Sequence, residues 1–242
     1  MLKIENSEVM GWEHAIRGMR NPLNSWAKSD SEFITCDGEH HDINGNHGPW
    51  YGNDGFGWGE LLIGDNDHKL MTTLRNTGTD HRKFMRMITV YLDITAPLYW
   101  WKEFDTYKVG TVANSCSTMH KIAAKEFSLD DFSCEHLLNN AAQYNGYVPT
   151  SVLKCTIGAL NEFRKLYLES NNKAYWWQMI QLLPSSYNQR RTVMLNYEVL
   201  ANIYKSRLNH KLDEWHTFCD WIEELPYSEL ITGYEEKTND LG

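Results

Sequence analysis

Residues 76–120 read NTGTDHRKFMRMITVYLDITAPLYWWKEFDTYKVGTVANSCSTMH, and this stretch decides the fold. His81 follows a glycine and an aspartate, a setting typical of a turn. From Ile88 to Ile94 apolar and polar residues alternate strictly, which is the period of a half-buried strand. Pro97 then suits the first turn of a helix, because its fixed φ matches helix geometry and the missing N–H would have no partner there.

The predicted helix carries Leu98–Phe104, and a polar segment, residues 105–117, follows it. Small and polar residues after a helix suit a loop whose backbone approaches a ligand. The same pattern also fits a strand and a helix that only build the core. Pattern alone therefore leaves a ligand site and a structural core as alternatives.

The order of these parts, with a Lys-Glu pair in the aromatic helix, resembles the flavin-dependent thymidylate synthases. That family carries the signature RHRxxSxNExSxRY just after such a strand and helix. Here its place is taken by TYKVGTVANSCSTMH, with one extra residue that we put at Ala113. The resemblance predicts an α/β fold of the α+β type, with a small, mostly antiparallel sheet flanked by helices, in a single domain over residues 1–242.

A second informative block lies at residues 182–215 and reads LLPSSYNQRRTVMLNYEVLANIYKSRLNHKLDEW. Its pattern predicts a turn and then a long helix. The helix would place Asn196, Leu200, Ile203 and Arg207 within about 60° of one another. Taken alone, this stripe favours an arginine that snorkels at the end of a buried face.

The same block resembles the C-terminal half of the family. Asn196, Asn202 and Arg207 match an Asn, a second Asn beside the flavin and an Arg that contacts the substrate pyrimidine. The resemblance thus gives Arg207 a role in the site, in contrast to the structural role that the stripe favours.

The resemblance assigns roles to ten residues. Catalysis falls to Arg207 and Ser117, flavin binding to His81, Tyr107, Lys108, Asn196 and Asn202, and substrate binding to Glu103, Asn114, Ser115, Ser117 and Arg207. FAD is the expected cofactor, with reduced nicotinamide and methylenetetrahydrofolate as co-substrates, because cofactors carry the hydride and one-carbon chemistry in that family. The expected partners are a nucleotide-like small molecule and further copies of the chain in a homotetramer with shared sites.

The signature departs from the family pattern where it would meet phosphate. Thr106, Tyr107 and Lys108 stand in place of Arg-His-Arg, and Lys is a poorer bidentate phosphate ligand than Arg. Met119 and Ile180 stand where the family has two phosphate-binding arginines. The loss of two charge-assisted contacts predicts a substrate or phosphate site altered from that for dUMP.

Three functions stay open. The first is a flavoenzyme that transfers a one-carbon unit to a pyrimidine nucleotide other than dUMP, or to a related base. The second is a thymidylate synthase that uses dUMP with a rebuilt phosphate site, in which Arg190 and Arg191 supply the charge. The third is a catalytically silent protein that binds or sequesters a nucleotide-like ligand. Trp100, Trp101 and Tyr107 are candidate surfaces for stacking a planar ring.

Composition argues against several classes of protein. The formal charge of −9 opposes non-specific nucleic-acid binding, which needs basic clusters. The five cysteines form no CxxC pair, which favours reduced thiols. No apolar run approaches the length of a membrane span, so we expect a cytoplasmic protein without membrane partners.

Elsewhere the pattern predicts a short strand at 2–5, a helix from Glu8 to Met19 capped by Ser7, and helices at 60–75, 129–144, 149–170 and 174–183. Residues 29–59 are rich in Gly, Asp and Asn and read as an inserted long loop or irregular hairpin.

The 29–59 segment holds potential metal ligands, namely Cys36, His40, His41, Asp42 and His47. None of the spacings that define zinc sites is present. A solvent-facing or interface loop without a bound metal is therefore the expectation.

Overall fold

The computed structural model of the chain describes residues 2–35, 40–42, 59–140 and 146–233. The strands are β1 (Lys3–Met10), β2 (Glu32–Thr35), β3 (His40–Asp42), β4 (Gly59–Leu62), β5 (Thr89–Pro97), β6 (Val112–Ser115) and β7 (Asn188–Asn196). The helices are α1 (Trp12–Arg20), α2 (Asp65–Thr77), α3 (Leu98–Phe104), α4 (Thr118–Lys121), α5 (Pro149–Ser170), α6 (Lys173–Leu182), α7 (Tyr197–Arg207), α8 (Asp213–Glu223) and α9 (Glu229–Thr232). Within these ranges no helix has the length and hydropathy needed to cross a bilayer.

The main sheet has four strands in the order β1-β5-β7-β6 and is antiparallel. With its accompanying helices it confirms the predicted class, a small antiparallel sheet in an α/β chain. β5 shows the predicted alternation, since Val90, Leu92 and Ile94 are buried and Tyr91 is exposed.

Helix α3 begins directly after Pro97, as the sequence predicts. No side chain caps its first turn. Instead, the backbone N–H groups of Leu98 and Tyr99 donate to the carbonyl oxygens of Tyr187 and Ser185, each at 3.0 Å. These bonds satisfy helix N-terminal donors that would otherwise lack a partner.

The block at residues 182–215 is a strand followed by a helix, so the prediction of one long helix was wrong. β7 ends at Asn196, whose side-chain oxygen accepts a hydrogen bond from the Val199 N–H (3.1 Å) and caps α7. Asn196 therefore does not share a helical stripe with Leu200 and Ile203. Strand pairing across the sheet overrode the helical spacing of the apolar residues.

Two helices begin later than predicted. β1 extends to Met10, and α1 starts only at Trp12 because Gly11, at φ 92°, reverses the chain there. Ser7 and Glu8 lie in the strand and do not cap a helix. In the 60–75 segment, residues up to Leu62 form β4, and the helix starts at Asp65.

The predicted helix at 129–144 is wrong in the residues that the structure describes. Ser128 and Asp131 form a capping box, but it opens only a single 3-10 turn, Leu129–Asp131. Phe132 then adopts an extended conformation, pairs with Tyr187 in an isolated bridge and enters the core. Burial of Phe132 ends the helix despite its N-terminal signal.

The described part of the 29–59 segment contains β2 and β3, which pair antiparallel, so the predicted hairpin fits it better than the alternative long loop. β2 pairs antiparallel with both β3 and β4, with Glu32 opposite Asp42 and Leu62. Residues 36–39 and 43–58, with Cys36 and His47, lie outside the described residues. Among the described residues, no three His, Cys, Asp or Glu side chains are placed to share a metal ion.

The chain divides into two compact units. The first unit takes its described residues from Met1–Asn6, Leu92–Lys108 and Ala113–Val193, and the second from Ser7–Tyr91, Val109–Val112 and Met194–Gly242. The core of the first unit includes Ile122, Phe127, Phe132, Leu153, Leu160 and Met179. In the second unit Trp12 packs edge-on against both Tyr197 and Tyr227, each with ring centroids 5.2 Å apart. The prediction of a single domain stays a prediction.

Candidate functional site

The predicted substrate- and flavin-binding residues of the first unit lie on α3 and in the segment that follows it. Glu103 and Tyr107 are half-buried, and Lys108 is exposed. The segment predicted as a loop contains strand β6 at the edge of the sheet. Asn114 and Ser115 are exposed on this strand.

Ser117, predicted as catalytic, caps the short helix α4 by accepting a hydrogen bond from the His120 N–H (3.2 Å). It also lines a cavity of about 480 Å³ in the first unit. The cavity wall carries the basic residues Lys3, Lys121, Lys125 and Arg190, the acidic residues Asp130 and Asp131, and the hydroxyls of Thr95, Ser117, Thr118 and Tyr187.

The cavity contains a lysine, a carboxylate and a phenol close together. Lys125 forms an ion pair with Asp131, which raises the pKa of the ammonium. Burial, and next the charge of Asp131, raise the pKa of the Tyr187 phenol. Tyr187 is therefore a protonated hydrogen-bond donor at neutral pH.

Sequence reasoning missed Lys121 and Lys125. The two lysines are four residues apart, a spacing that favours one helix face. The remaining cations of the cavity come from Lys3 and Arg190, which are distant in sequence. The spacing of Lys121 and Lys125 could have indicated a basic patch. The cavity could not be predicted, because its wall combines segments that are distant in sequence.

Trp100 and Trp101 do not offer the stacking surfaces that the sequence suggested. Both are essentially fully buried. The guanidinium of Arg191 covers the Trp101 ring, with 4.1 Å from Cζ to the ring centroid, and donates to the Asp105 carboxylate at 2.7 Å. Tyr107, half-buried, is the remaining candidate of the three.

The cations Arg190 and Arg191 are already paired with carboxylates. Besides the Arg191–Asp105 pair, Arg190 donates to Asp93 at 2.7 Å. Thr192 also donates to Asp93 at 2.5 Å, and Asn6 does so at 2.9 Å. The three hydrogen bonds hold the pKa of Asp93 well below its usual range, Thr192 contributing most.

In the second unit, Arg207 is the last residue of α7 and is half-buried. Its guanidinium lies over the ring of Trp215, 4.7 Å from the centroid. Trp215 is fully buried in α8 and packs edge-on against Phe218. The stacking fixes the plane of the guanidinium, which matters for any bidentate contact with a planar heterocycle.

In the second unit, Arg82 follows His81 in the chain and forms a hydrogen bond with Asn202. His81 is exposed in a turn, as predicted, and directly precedes Arg82. Arg82 donates to the side-chain oxygen of the exposed Asn202 at 3.2 Å. Arg82 and Arg86 both form ion pairs with the buried carboxylate of Glu198. No sequence signal pointed to Arg82, Arg86 or Glu198.

Asn196, predicted to bind flavin, is buried, and its side chain forms a hydrogen bond within the protein. Its oxygen caps α7, and its amide nitrogen faces Gly110, where an added Cβ would lie 2.9 Å away. Gly110 has φ 79°, a conformation that favours glycine. Asn196 therefore has a structural role in α7 and in the turn at Gly110.

The comparisons with known proteins identify a fold. No family model matches the chain, and no curated protein matches its sequence. One similar structure is a flavin-dependent thymidylate synthase from Helicobacter pylori, complexed with FAD and dUMP. The alignment covers 96% of this chain and 98% of that chain, with a TM-score of 0.60 and 16% sequence identity. Another is the UMP/dUMP methylase PolB from Streptomyces cacaoi, bound with 5-Br dUMP. The alignment covers 97% of this chain and 96% of that chain, with a TM-score of 0.60 and 14% sequence identity.

The chain has the fold of flavin-dependent thymidylate synthases. The resemblance read from residues 76–120 and 182–215 is thus confirmed at the level of the fold. The roles assigned to the individual site residues stay predictions.

The candidate residues fit a flavin in part. In the second unit, the Arg82 guanidinium and the Asn202 amide are hydrogen-bonded to each other, and charged and amide groups of this kind suit carbonyl and phosphate oxygens. His81 is exposed and directly precedes Arg82. The Asn196 oxygen accepts a hydrogen bond from its own helix, and its predicted contact with flavin stays a prediction. In the first unit Lys108 and Tyr107 remain as candidates.

Proposed function

We propose that the protein is a flavin-dependent enzyme that transfers a one-carbon unit to a pyrimidine nucleotide, with a substrate site altered from that for dUMP. The similarity of nearly the whole chain to solved thymidylate synthase and UMP/dUMP methylase structures carries this proposal. The ligands of those structures are FAD with dUMP, and 5-Br dUMP, so both bind a pyrimidine nucleotide.

His81 and Asn202 of the second unit would contact FAD. For Tyr107 and Lys108 of the first unit, an FAD contact rests on the family resemblance alone. Bound flavin supplies the redox chemistry of the reaction, with reduced nicotinamide and methylenetetrahydrofolate as co-substrates. The protein's part is to bind and orient. Binding and orientation need no nucleophile from the protein. Replacement of the two phosphate-binding arginines by Met119 and Ile180 therefore changes which substrate is held more than whether chemistry is possible.

Arg207 would hydrogen-bond the pyrimidine and stabilise negative charge that develops on it. Trp215 supports this role, because a guanidinium stacked on a buried ring has its plane fixed. A fixed plane lowers the entropy lost on binding a planar ligand.

The altered substrate site is supported by the surroundings of Met119 and Ile180. Met119 is exposed and uncharged, and Ile180 packs against the core of the first unit. Two charge-assisted contacts contribute about 1.5–3 kcal/mol each, so losing both predicts dUMP binding weaker by on the order of a hundredfold or more.

An absorbance spectrum of the purified protein, followed by calorimetric titration with UMP and dUMP, tests the proposal. We expect a flavin band and weak binding of dUMP. UMP carries the same 5′-phosphate, so a difference in affinity between the two nucleotides reports on recognition of the sugar. A colourless protein that gains no flavin spectrum with added FAD would exclude the flavoenzyme. Low-micromolar dUMP binding would show that the phosphate site is not altered.

The replacement of the signature Arg-His-Arg by Thr106, Tyr107 and Lys108 favours a second candidate, a silent protein that binds a nucleotide-like ligand without flavin. This candidate predicts a colourless protein that still binds a pyrimidine nucleotide. The spectrum and the titration together therefore separate the two functions.

A further inference from the structure

In the first unit, a side chain on β7 holds the segment that carries Ser117. The amide nitrogen of Gln189 donates to the carbonyl oxygen of Cys116 at 2.9 Å and to the hydroxyl of Thr118 at 3.0 Å. Cys116 and Thr118 flank Ser117 in the sequence. The main chain is joined there as well, since the Cys116 N–H donates to the carbonyl oxygen of Arg190 at 3.0 Å. One amide therefore bridges the segment across the residue predicted to bind substrate.

Arg191 sets the orientation of the Gln189 amide. The Nε–H of Arg191 donates to the side-chain oxygen of Gln189 at 3.0 Å. An amide turned the other way would face this donor with its own N–H groups, so the oxygen points to Arg191 and the nitrogen to the Ser117 segment. Both amide N–H donors of Gln189 are thus used within the protein.

Two further contacts fix Arg191 itself. Its guanidinium lies over the buried ring of Trp101, with 4.1 Å from Cζ to the ring centroid, and pairs with Asp105 at 2.7 Å. The Trp101 indole N–H donates to the backbone oxygen of Gln189 at 2.9 Å. A guanidinium with a ring on its face and a carboxylate at its edge has a fixed plane, so the hydrogen bond to Gln189 has a fixed direction.

The Ser117 hydroxyl keeps one donor for a ligand. Its oxygen accepts from the His120 N–H, which leaves the hydroxyl hydrogen for another acceptor. Among the residues that the structure describes, no protein group accepts that hydrogen. Because Ser117 lines the cavity of about 480 Å³, the direction of this donor in the cavity depends on how the segment is held.

We propose that Gln189 is a positioning residue that aims the Ser117 hydroxyl at a ligand in the cavity, and that Arg191 holds Gln189 in turn. That the ligand is a pyrimidine nucleotide rests on the proposed function. Arg191 then supports the segment, in place of the phosphate contact that one interpretation of the sequence gave it. Arg191 is not among the described residues of the cavity wall, so its effect on a ligand would be indirect.

Gln189→Glu tests the hold on the segment. A glutamate can still accept from Arg191, but it has no N–H to donate to Cys116 or Thr118. Gln181→Glu, at an exposed position on α6, is the matched control. Circular dichroism checks that both variants fold.

Amide hydrogen exchange without ligand reads out the hold directly. We expect exchange at residues 116–121 to be about tenfold faster in Gln189→Glu, since hydrogen bonds that oppose local opening are lost, and unchanged in Gln181→Glu. Exchange along α5 should not change in either variant. Unchanged exchange at residues 116–121 in folded Gln189→Glu would overturn the proposal.

A double-mutant cycle with Ser117→Ala tests the effect on the ligand, with UMP affinity measured by calorimetry. We expect Gln189→Glu to weaken UMP binding about tenfold when Ser117 is present, and by less than about twofold in Ser117→Ala, because Gln189 acts through Ser117. A side chain that only stabilises the fold, or that contacts the ligand itself, would give the same loss in both backgrounds. Equal losses would overturn the positioning role.

Arg191→Lys extends the test to the second residue, and it takes the place of Gln189→Glu if that variant does not fold. Lysine keeps a charge for Asp105 but lacks the planar group that orients Gln189. We expect UMP and uridine binding to weaken by the same factor, roughly threefold or more, and only when Ser117 is present. A loss confined to UMP would make Arg191 a phosphate ligand and would overturn its positioning role.

Failure of this inference and failure of the proposed function give different results. A colourless protein that binds no pyrimidine nucleotide rejects the proposed function, and exchange at residues 116–121 then decides whether Gln189 holds the segment. A yellow protein that binds UMP, with equal losses in both backgrounds of the cycle, keeps the proposed function and rejects the positioning role.

Discussion

At the scale of single residues, substitution of Arg207 distinguishes a structural role of this side chain from a role in ligand binding. Its stacking on Trp215 is worth about 0.5–1 kcal/mol at a half-exposed site, so Arg207→Ala should fold with a melting temperature little changed. If Arg207 holds the substrate, the variant should lose nucleotide binding or turnover, and Arg207→Lys should rescue little because a point charge cannot replace the planar fork.

Calorimetry with UMP and thermal melts check this prediction, with Lys205→Ala in the same helical turn as the control. A variant of Arg207 that melts much earlier but binds its ligand as before would return the residue to a purely structural role.

Asp67 is a second residue for which the structure predicts a specific effect. Its carboxylate is fully buried, pairs with Arg20 at 2.6 Å and accepts hydrogen bonds from Ser29 and Ser31. Asp67→Asn leaves the guanidinium of Arg20 buried without its counter-charge. We expect a loss of about 3–5 kcal/mol in the free energy of unfolding, measured by urea titration. Asp65→Asn, exposed on the same helix, should change little.

The pH dependence of the Asp67 effect has a defined sign. Burial opposes ionisation of Asp67, but the hydrogen bonds from Ser29 and Ser31 and the ion pair with Arg20 outweigh it and lower the pKa. The stabilisation is therefore complete above the usual carboxyl pKa of 3.8 and is lost as pH falls through the lower folded-state value. The difference in stability between wild type and Asp67→Asn should shrink in that acidic window. A constant difference across it would contradict the ionised pair.

At the scale of elements, the sequence predicted those helices whose first and last residues are set by a proline or an asparagine at the boundary. α5 begins at Pro149 and ends before Asn171, which adopts φ 52°, so both boundaries follow from single residues. β7 could not be predicted in this way. Its place in the sheet depends on pairing with strands that are distant in sequence. The helical spacing of Leu200 and Ile203 also favoured a helix over the whole block.

The candidate site was predictable to the same extent. The family order of parts assigns His81 and Asn202 to the flavin site, and the structure adds a hydrogen bond between Asn202 and Arg82, the residue after His81. The Arg86–Glu198 ion pair joins residues more than a hundred positions apart, so no local pattern reveals it. Lys121 and Lys125 are four residues apart, but α4 ends at Lys121, and the cavity they line also needs residues of β7.

Two glycines make an element-scale prediction. Gly11 has φ 92°, and a Cβ there would overlap the carbonyl oxygen of Met87, so Gly11→Ala should destabilise the protein by more than about 1 kcal/mol. Gly158 lies within α5 with nothing within 4 Å of an added Cβ, so Gly158→Ala should stabilise by about 0.5–1 kcal/mol. Urea unfolding measures both. Equal effects of the two changes would contradict the boundary between β1 and α1.

At the scale of the whole molecule, the resemblance to flavin-dependent thymidylate synthases predicts a homotetramer. Large apolar side chains are exposed, among them Tyr147 and Val109, at 71% and 91% of their surface. Interfaces between subunits are enriched in aromatic and apolar residues, so such side chains suit contacts with further copies. We expect light scattering after size exclusion to give four chains of 28.3 kDa each across micromolar concentrations.

The stability of that assembly to salt distinguishes its physical origin. An assembly held by apolar burial should persist at 1 M salt, where the Debye length is about 3 Å and exposed charge pairs are screened. Added FAD and UMP should raise its thermal stability if sites are shared between subunits, because ligands that bind only the assembled form favour it by mass action. A monomer at micromolar concentration, with and without FAD and UMP, would contradict both the tetramer and the shared site, and any nucleotide site would then lie within one chain.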